Sequence, residues 1–112
     1  MVTKKASRGP SPFSAIADPT RRAILDLLRT REYRAGELAL RFTVSRPAIA
    51  KHVRILRQAG LVTERRQSQS RIYSLAPQAL SEVDAWIAPY RLFWAARLTD
   101  LKRLVESSSQ EE

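Results

Sequence analysis

Ser45-Arg46-Pro47-Ala48-Ile49-Ala50-Lys51-His52-Val53-Arg54-Ile55-Leu56-Arg57-Gln58-Ala59-Gly60 is the stretch whose reading decides the fold. Ser45 suits an N-cap, because its hydroxyl can accept from an N–H of the first turn. Pro47 is tolerated in that turn, and Gly60 is typical of the position just past a helix end. Between these signals the helical period gathers Ile49, Val53 and Leu56 on one side, which must face a core. Pro47, Ala50, Lys51, Arg54 and Gln58 fall on the other side, which is basic and has no large apolar group.

Upstream, Thr43-Val44-Ser45 is a short connection, and Ala35–Phe42 reads as a helix of about two turns with Leu38, Ala39 and Phe42 inward. Asp18-Pro19 is a start signal, a cap followed by proline at the first helical position. It opens a helix to about Thr30 that places Ile24, Leu25 and Leu28 on one side, with Arg21, Arg22 and Arg29 mostly off it. Phe13–Ala17 is expected as a short first helix. Downstream, Leu61–Gln67 and Arg71–Leu75 have strand character around a turn at Ser68-Gln69-Ser70, which predicts a hairpin with Tyr73 in the core. From Pro77 the pattern is helical to about Glu106.

Two short helices on a three-residue turn, followed by a hairpin, define a winged helix-turn-helix. The expected fold is mainly α with a small β-hairpin: about five helices and a two-stranded wing. Residues 1–12 are expected as a flexible basic tail, 13–106 as the DNA-binding and dimerisation domain, and 107–112 as a second flexible tail.

The chain has 112 residues, enough for one domain, and its hydrophobic fraction of 44% supports one core. Its formal net charge is +9. Residues 1–75 hold 16 basic and 5 acidic side chains, whereas residues 76–112 hold 4 basic and 6 acidic ones. A cationic body with a near-neutral tail calls for an anionic partner of the body, with nucleic acid ahead of a membrane surface or an acidic protein. There are no cysteines, which excludes disulfides and thiolate metal sites. No apolar run reaches transmembrane length and no signal peptide is visible, so the expected location is the cytoplasm. No nucleophile–base pair, paired carboxylates or Gly-rich phosphate loop points to catalysis, and no cofactor is expected.

The outer face of the Ser45 helix can enter the major groove, roughly 12 Å wide. Arg46 and Lys51 are the candidates for guanine contact, Ser45 with the helix N-terminus for phosphate, and Arg54 and Arg57 for phosphate. Pro47, Ala50 and His52 complete the surface assigned to DNA. Arg65, Arg66 and Arg71 cluster around the wing tip, where they can reach neighbouring backbone. A solvated charged face and edge-strand protection are the plainer alternatives for these groups.

With Val83 as reference, Leu80, Trp86, Ile87, Tyr90, Phe93, Trp94, Leu98, Leu101, Leu104 and Val105 fall in a sector about 140° wide. Arg97 is the one charge within it. Residues 78–106 would span roughly 43 Å, longer than such a domain needs. That combination points to a dimer interface, with core packing within one subunit as the plainer alternative for part of the stripe. Pro89 inside this helix removes one hydrogen bond and predicts a kink or a break.

Asp18-Pro19-Thr20-Arg21-Arg22-Ala23-Ile24-Leu25, then Glu37-Leu38-Ala39, then Ser45-Arg46-Pro47-Ala48-Ile49 with Lys51-His52-Val53, Leu56 and Ala59-Gly60-Leu61-Val62, resemble the ArsR-type winged helix-turn-helix repressors. Arg65-Arg66, Tyr73-Ser74-Leu75, Trp86, Phe93-Trp94, Arg97-Leu98 and Leu101 extend the resemblance over roughly residues 13–105. It implies a homodimeric repressor on a palindromic double-stranded DNA operator, often released by a metal. It also implies a dimer interface from the first and last helices, here Phe13, Ile16, Trp86, Tyr90, Phe93, Trp94, Leu98 and Leu101. Two departures stand out: Ala50 occupies a position where the family commonly has serine, and the wing tip lacks the usual glycine.

Family metal sensors use cysteines on the third helix, or histidine with carboxylates on the last. Here the third helix has no thiol and the last offers Glu82, Asp84 and Asp100 without histidine. Zinc favours Cys and His ligands, so no metal site is expected, and the chain resembles the branch without one, which includes self-repressing regulators. A metal- or small-ligand-responsive sensor and a winged-helix protein-interaction module are the alternatives.

Overall fold

The computed structural model describes residues 9–110. Most of the expected basic tail, with Lys4, Lys5 and Arg8, lies outside the described residues, as do Glu111 and Glu112. Ser11 accepts a hydrogen bond from the N–H of Ser14 at 3.1 Å and caps α1 (Pro12–Ala15). Pro12, placed by the sequence reading at the end of the flexible tail, is the first helical residue, where its missing N–H costs nothing. Asp18 caps α2 (Pro19–Thr30) by accepting from the N–H of Arg21 at 3.0 Å. That N–H holds the Asp18 carboxyl below its usual range.

A two-residue strand, β1 (Tyr33–Arg34), leads directly into α3 (Ala35–Ala39). The regular part of α3 is shorter than the expected Ala35–Phe42. Past Ala39 the hydrogen bonds tighten: Arg41 donates to Leu38 O and Phe42 to Ala39 O, at 3.1 and 3.2 Å, a 3-10-type ending. Then comes α4 (Arg46–Gln58), capped by Ser45, which accepts from the N–H of Ala48 at 3.2 Å. At its far end Gly60 has φ +81°. Its N–H donates to Arg57 O, and that of Leu61 donates to Leu56 O at 2.9 Å. This is the paired Schellman closure that a left-handed residue permits. Leu61 and Leu56 are both fully buried there.

The wing consists of β2 (Val62–Gln67) and β3 (Ser70–Leu75), antiparallel, with Val62 opposite Leu75 and Gln67 opposite Ser70. Ser68 takes φ 58° at its tip, the left-handed conformation that a glycine would adopt without strain. The sheet has a third strand that sequence reasoning missed. β1 pairs with β3, Tyr33 opposite Tyr73 and Arg34 opposite Ile72, giving the order β1-β3-β2. The core joins Ile24, Leu25 and Leu28 of α2, Leu38 of α3, Ile49, Val53 and Leu56 of α4, and Tyr33 and Tyr73 of the sheet. Each fully buried Leu or Ile contributes roughly 1.5–3 kcal/mol of hydrophobic stabilisation.

After a 3-10 turn at Pro77–Ala79 the chain enters α5 (Leu80–Gln110). Among the described residues, those up to Ser81 form one compact unit and those from Glu82 onward, the remainder of α5, form a second. The helix is continuous through Pro89 and runs past Glu106 to Gln110. At 1.5 Å per residue its 31 residues extend about 46 Å. Within it Asp84 accepts from Arg91 at 2.7 Å, and the Arg97 guanidinium lies 4.8 Å from the centre of the Phe93 ring.

Candidate nucleic-acid interface

The site is built on α4. Its inward residues Ile49, Val53 and Leu56 are 3%, 2% and 0% exposed, which fixes the rotation of the helix. Ser45, Arg46, Pro47, Ala50, Lys51, Arg54, Arg57 and Gln58 are all exposed. Lys51 and Arg54 make no ion pair among the described residues. A convex basic helix face without acidic side chains has the shape and charge to enter a DNA groove.

Arg46, the first residue of α4, leans over the first turn of α3. A Cβ at Gly36 would sit 2.9 Å from Arg46 Nη2, so the missing side chain of Gly36 makes room for the guanidinium. His52 is half-buried and turned inward. Arg21 Nη1 lies 3.2 Å from its Nδ1, and Asp18 Oδ2 lies 3.9 Å away. The structure thus brings His52 to the start of α2. Arg21 also donates to Ala15 O at 2.7 Å and Ser14 O at 3.3 Å. Arg22 donates to the Ile16 and Ala17 carbonyls at 2.9 and 3.1 Å. These two arginines, read from sequence only as lying off the apolar side, close the open end of α1.

The wing cations differ among themselves. Both Nη atoms of Arg65 donate to the carboxylate of Glu32, at 2.7 and 3.0 Å. Ser74 Oγ donates to the same carboxylate at 2.8 Å. These bonds hold the Glu32 carboxyl down at about 2 and push the Arg65 guanidinium up. Arg66 and Arg71 are exposed, face each other across the hairpin and make no ion pair among the described residues. Arg57 lies 3.4 Å from Glu64 Oε1, a buried oxygen that accepts no hydrogen bond among the described residues. The charge contact offsets part of its lost hydration. Sequence reasoning grouped these cations as equivalent. The partner of Arg65 sits 33 residues away in the chain, beyond any local pattern.

On α5, Trp86, Tyr90, Phe93, Trp94, Leu98 and Leu101 are each more than half exposed. Phe13 is also exposed, and Ile16 is half-buried against the core. Among the described residues no group of three or more His, Cys, Asp or Glu is placed to hold a metal ion, and no helix is long and apolar enough to cross a membrane.

A family model described as bacterial regulatory protein, arsR family, matches residues 18–64, from the Asp18 cap into the first wing strand. The transcriptional repressor SdpR of Bacillus subtilis is 43% identical over 75 residues, covering 67% of this chain and 83% of SdpR. The chain belongs to the ArsR family. The HTH-type transcriptional regulator Rv2034 of Mycobacterium tuberculosis is 36% identical over 99 residues, covering 88% of this chain and 90% of Rv2034. Among solved structures, an ArsR-like transcriptional regulator from Rhodococcus sp. RHA1 aligns with a TM-score of 0.62 at 33% identity, over 82% of this chain and 87% of that one. This ArsR-family protein is therefore a DNA-binding transcriptional regulator with a winged helix-turn-helix, and its relatives are regulators rather than enzymes.

Proposed function

We propose that the protein is a homodimeric repressor that binds a palindromic operator and is not released by a metal. The observation that carries the DNA reading is the outward face of α4, where Lys51 and Arg54 stand exposed without acidic partners among the described residues. Lys51 faces base edges beside Pro47 and Ala50, while Arg54, Arg57, Arg66 and the Ser45 end of α4 reach the backbone. Repression is supported by the likeness to SdpR, itself a transcriptional repressor. Dimerisation is supported by the exposed aromatic stripe of α5, which a lone subunit would leave in water. Two-fold symmetry then sets two α4 helices about 34 Å apart, in successive major grooves. The metal-free reading rests on the donor set, a chain with no cysteine and one histidine.

The test is operator selection from a random DNA pool, followed by anisotropy titration. Lys51→Ala should lower the preference for the selected site over random DNA by about tenfold or more, in line with the roughly 1–3 kcal/mol carried by one good base contact. A variant carrying both Lys51→Glu and Arg54→Glu should lose binding. Unchanged binding by that variant would sink the reading.

A further inference from the structure

We propose that Arg34, Arg46 and Arg71 form a clamp for one phosphodiester of the DNA backbone, set between α3, the start of α4 and the wing. The proposal rests on the DNA-binding reading and adds a residue, Arg34, that the sequence did not single out. It also moves Arg46 from the base edges to the backbone.

The three side chains come from three elements: Arg34 ends β1, Arg46 opens α4 and Arg71 lies on β3 near the wing tip. They line one groove of about 380 Å³ together with Gly36, Glu37 and Ser70. All three are exposed. Among the described residues none of their guanidinium groups has an ion pair or a hydrogen bond. That separates them from Arg21, Arg22, Arg57 and Arg65, each of which has a protein acceptor or a carboxylate in contact. The one carboxylate on the rim, Glu37, accepts from the backbone N–H of Arg34 at 3.0 Å and lies 3.7 Å from Arg31. It makes no ion pair or hydrogen bond with any of the three guanidinium groups, although the Arg34 N–H and charge help to hold its carboxyl below the usual range.

Three like charges lining a single concavity repel one another, so the protein alone does not explain their convergence. An oxyanion with several acceptor oxygens does, because guanidinium forks match phosphate geometry. Gly36 fits the assignment, since a Cβ there would sit 2.9 Å from Arg46 Nη2 and the guanidinium would have to shift from its present place. The groove flanks the α4 face assigned to DNA, so a strand read by that helix runs past it.

The salt dependence of binding tests this. Each phosphate contact contributes about 0.9 to the slope of log K against log salt, which corresponds to about a 5-fold loss on its removal at 0.15 M salt. Replacing Arg34, Arg46 and Arg71 together with Ala should lower the slope by about that amount, and Arg34→Ala alone by a measurable part of it, equally on operator and random DNA, with Arg34→Lys restoring most of the loss. Gly36→Ala should weaken binding in the same uniform way without lowering the thermal midpoint, because alanine favours the helix. If Arg34→Ala leaves slope and affinity unchanged while Lys51→Ala still weakens operator binding, the clamp is wrong and the DNA reading stands. If neither substitution matters, the DNA reading itself falls. Free phosphate is a separate source of the same chemistry. Should inorganic phosphate lower wild-type DNA binding relative to chloride at equal ionic strength, with the difference abolished by Arg34→Ala and the slope unmoved, assignment to the DNA backbone is overturned.

Discussion

Glu32 holds Arg65 with both carboxylate oxygens, and through Ser74 it ties the approach to β1 to both wing strands. The Glu32 carboxyl sits at about 2, well under the ordinary value of 4.5, chiefly because Arg65 donates to it. A depressed carboxylate contributes stability above its unfolded value and loses that contribution as pH falls through its folded value. The brace is therefore expected intact at pH 5 and lost between roughly 4.5 and 2. Side-chain carboxyl NMR should give Glu32 a midpoint near 2, and a midpoint near 4.5 would contradict the pairing.

Glu32 also competes with DNA for Arg65. Glu32→Gln should free the guanidinium and steepen the salt slope of DNA binding by up to about one contact's worth, roughly 0.9. The gain should be the same on operator and random DNA. A shallower slope would mean that wing geometry matters more than the freed charge.

Arg21 fastens α1 and α4 to the start of α2 through Ala15 O, Ser14 O and His52 Nδ1. Arg21→Ala should destabilise the protein by about 1.5–3 kcal/mol, the range for hydrogen bonds made by a charged donor. Urea denaturation measures the loss, and hydrogen exchange should show the amides of Ala15 and Ile16 opening first.

Ser68 takes a left-handed backbone that costs a non-glycine residue roughly 1–2 kcal/mol. Glycine removes most of that strain and gives back part in unfolded-chain entropy. Ser68→Gly should therefore stabilise the protein by about 0.5–1 kcal/mol in urea and leave operator preference unchanged.

Trp94 is 63% exposed and Leu98 56% exposed on α5. Replacing both with Asp should shift the protein from dimer to monomer in sedimentation velocity at micromolar concentration. Burying an unpaired carboxylate in a subunit interface is strongly unfavourable. A wild-type chain that sediments as a monomer would remove the dimer from the proposal.

The helices were largely legible because their signals are local. Asp18-Pro19, Ser45 and Gly60 mark ends within one turn, and Ile49, Val53 and Leu56 declare an inner face by spacing alone. β1 was not legible, since two residues cannot display an alternation and their pairing with β3 is decided some 40 positions away. The shortening of α3 turns on which carbonyl the Phe42 N–H selects, a choice composition does not mark. At the interface the sequence supplied the cations but not their occupancy. Arg65, Arg66 and Arg71 look alike on paper, and only folding places Glu32 beside the first and an open groove beside the last.

The pairing of β1 with β3 has a mechanical meaning. Arg34 is at once the last residue of β1, the cap position of α3 and the partner of Ile72 in the wing. A swing of the hairpin must drag the start of the helix-turn-helix with it. The separation between wing tip and reading helix is thus a built-in gauge. One base pair inserted between the half-site positions they span would be met by bending the DNA, because the protein has no joint there with which to follow it.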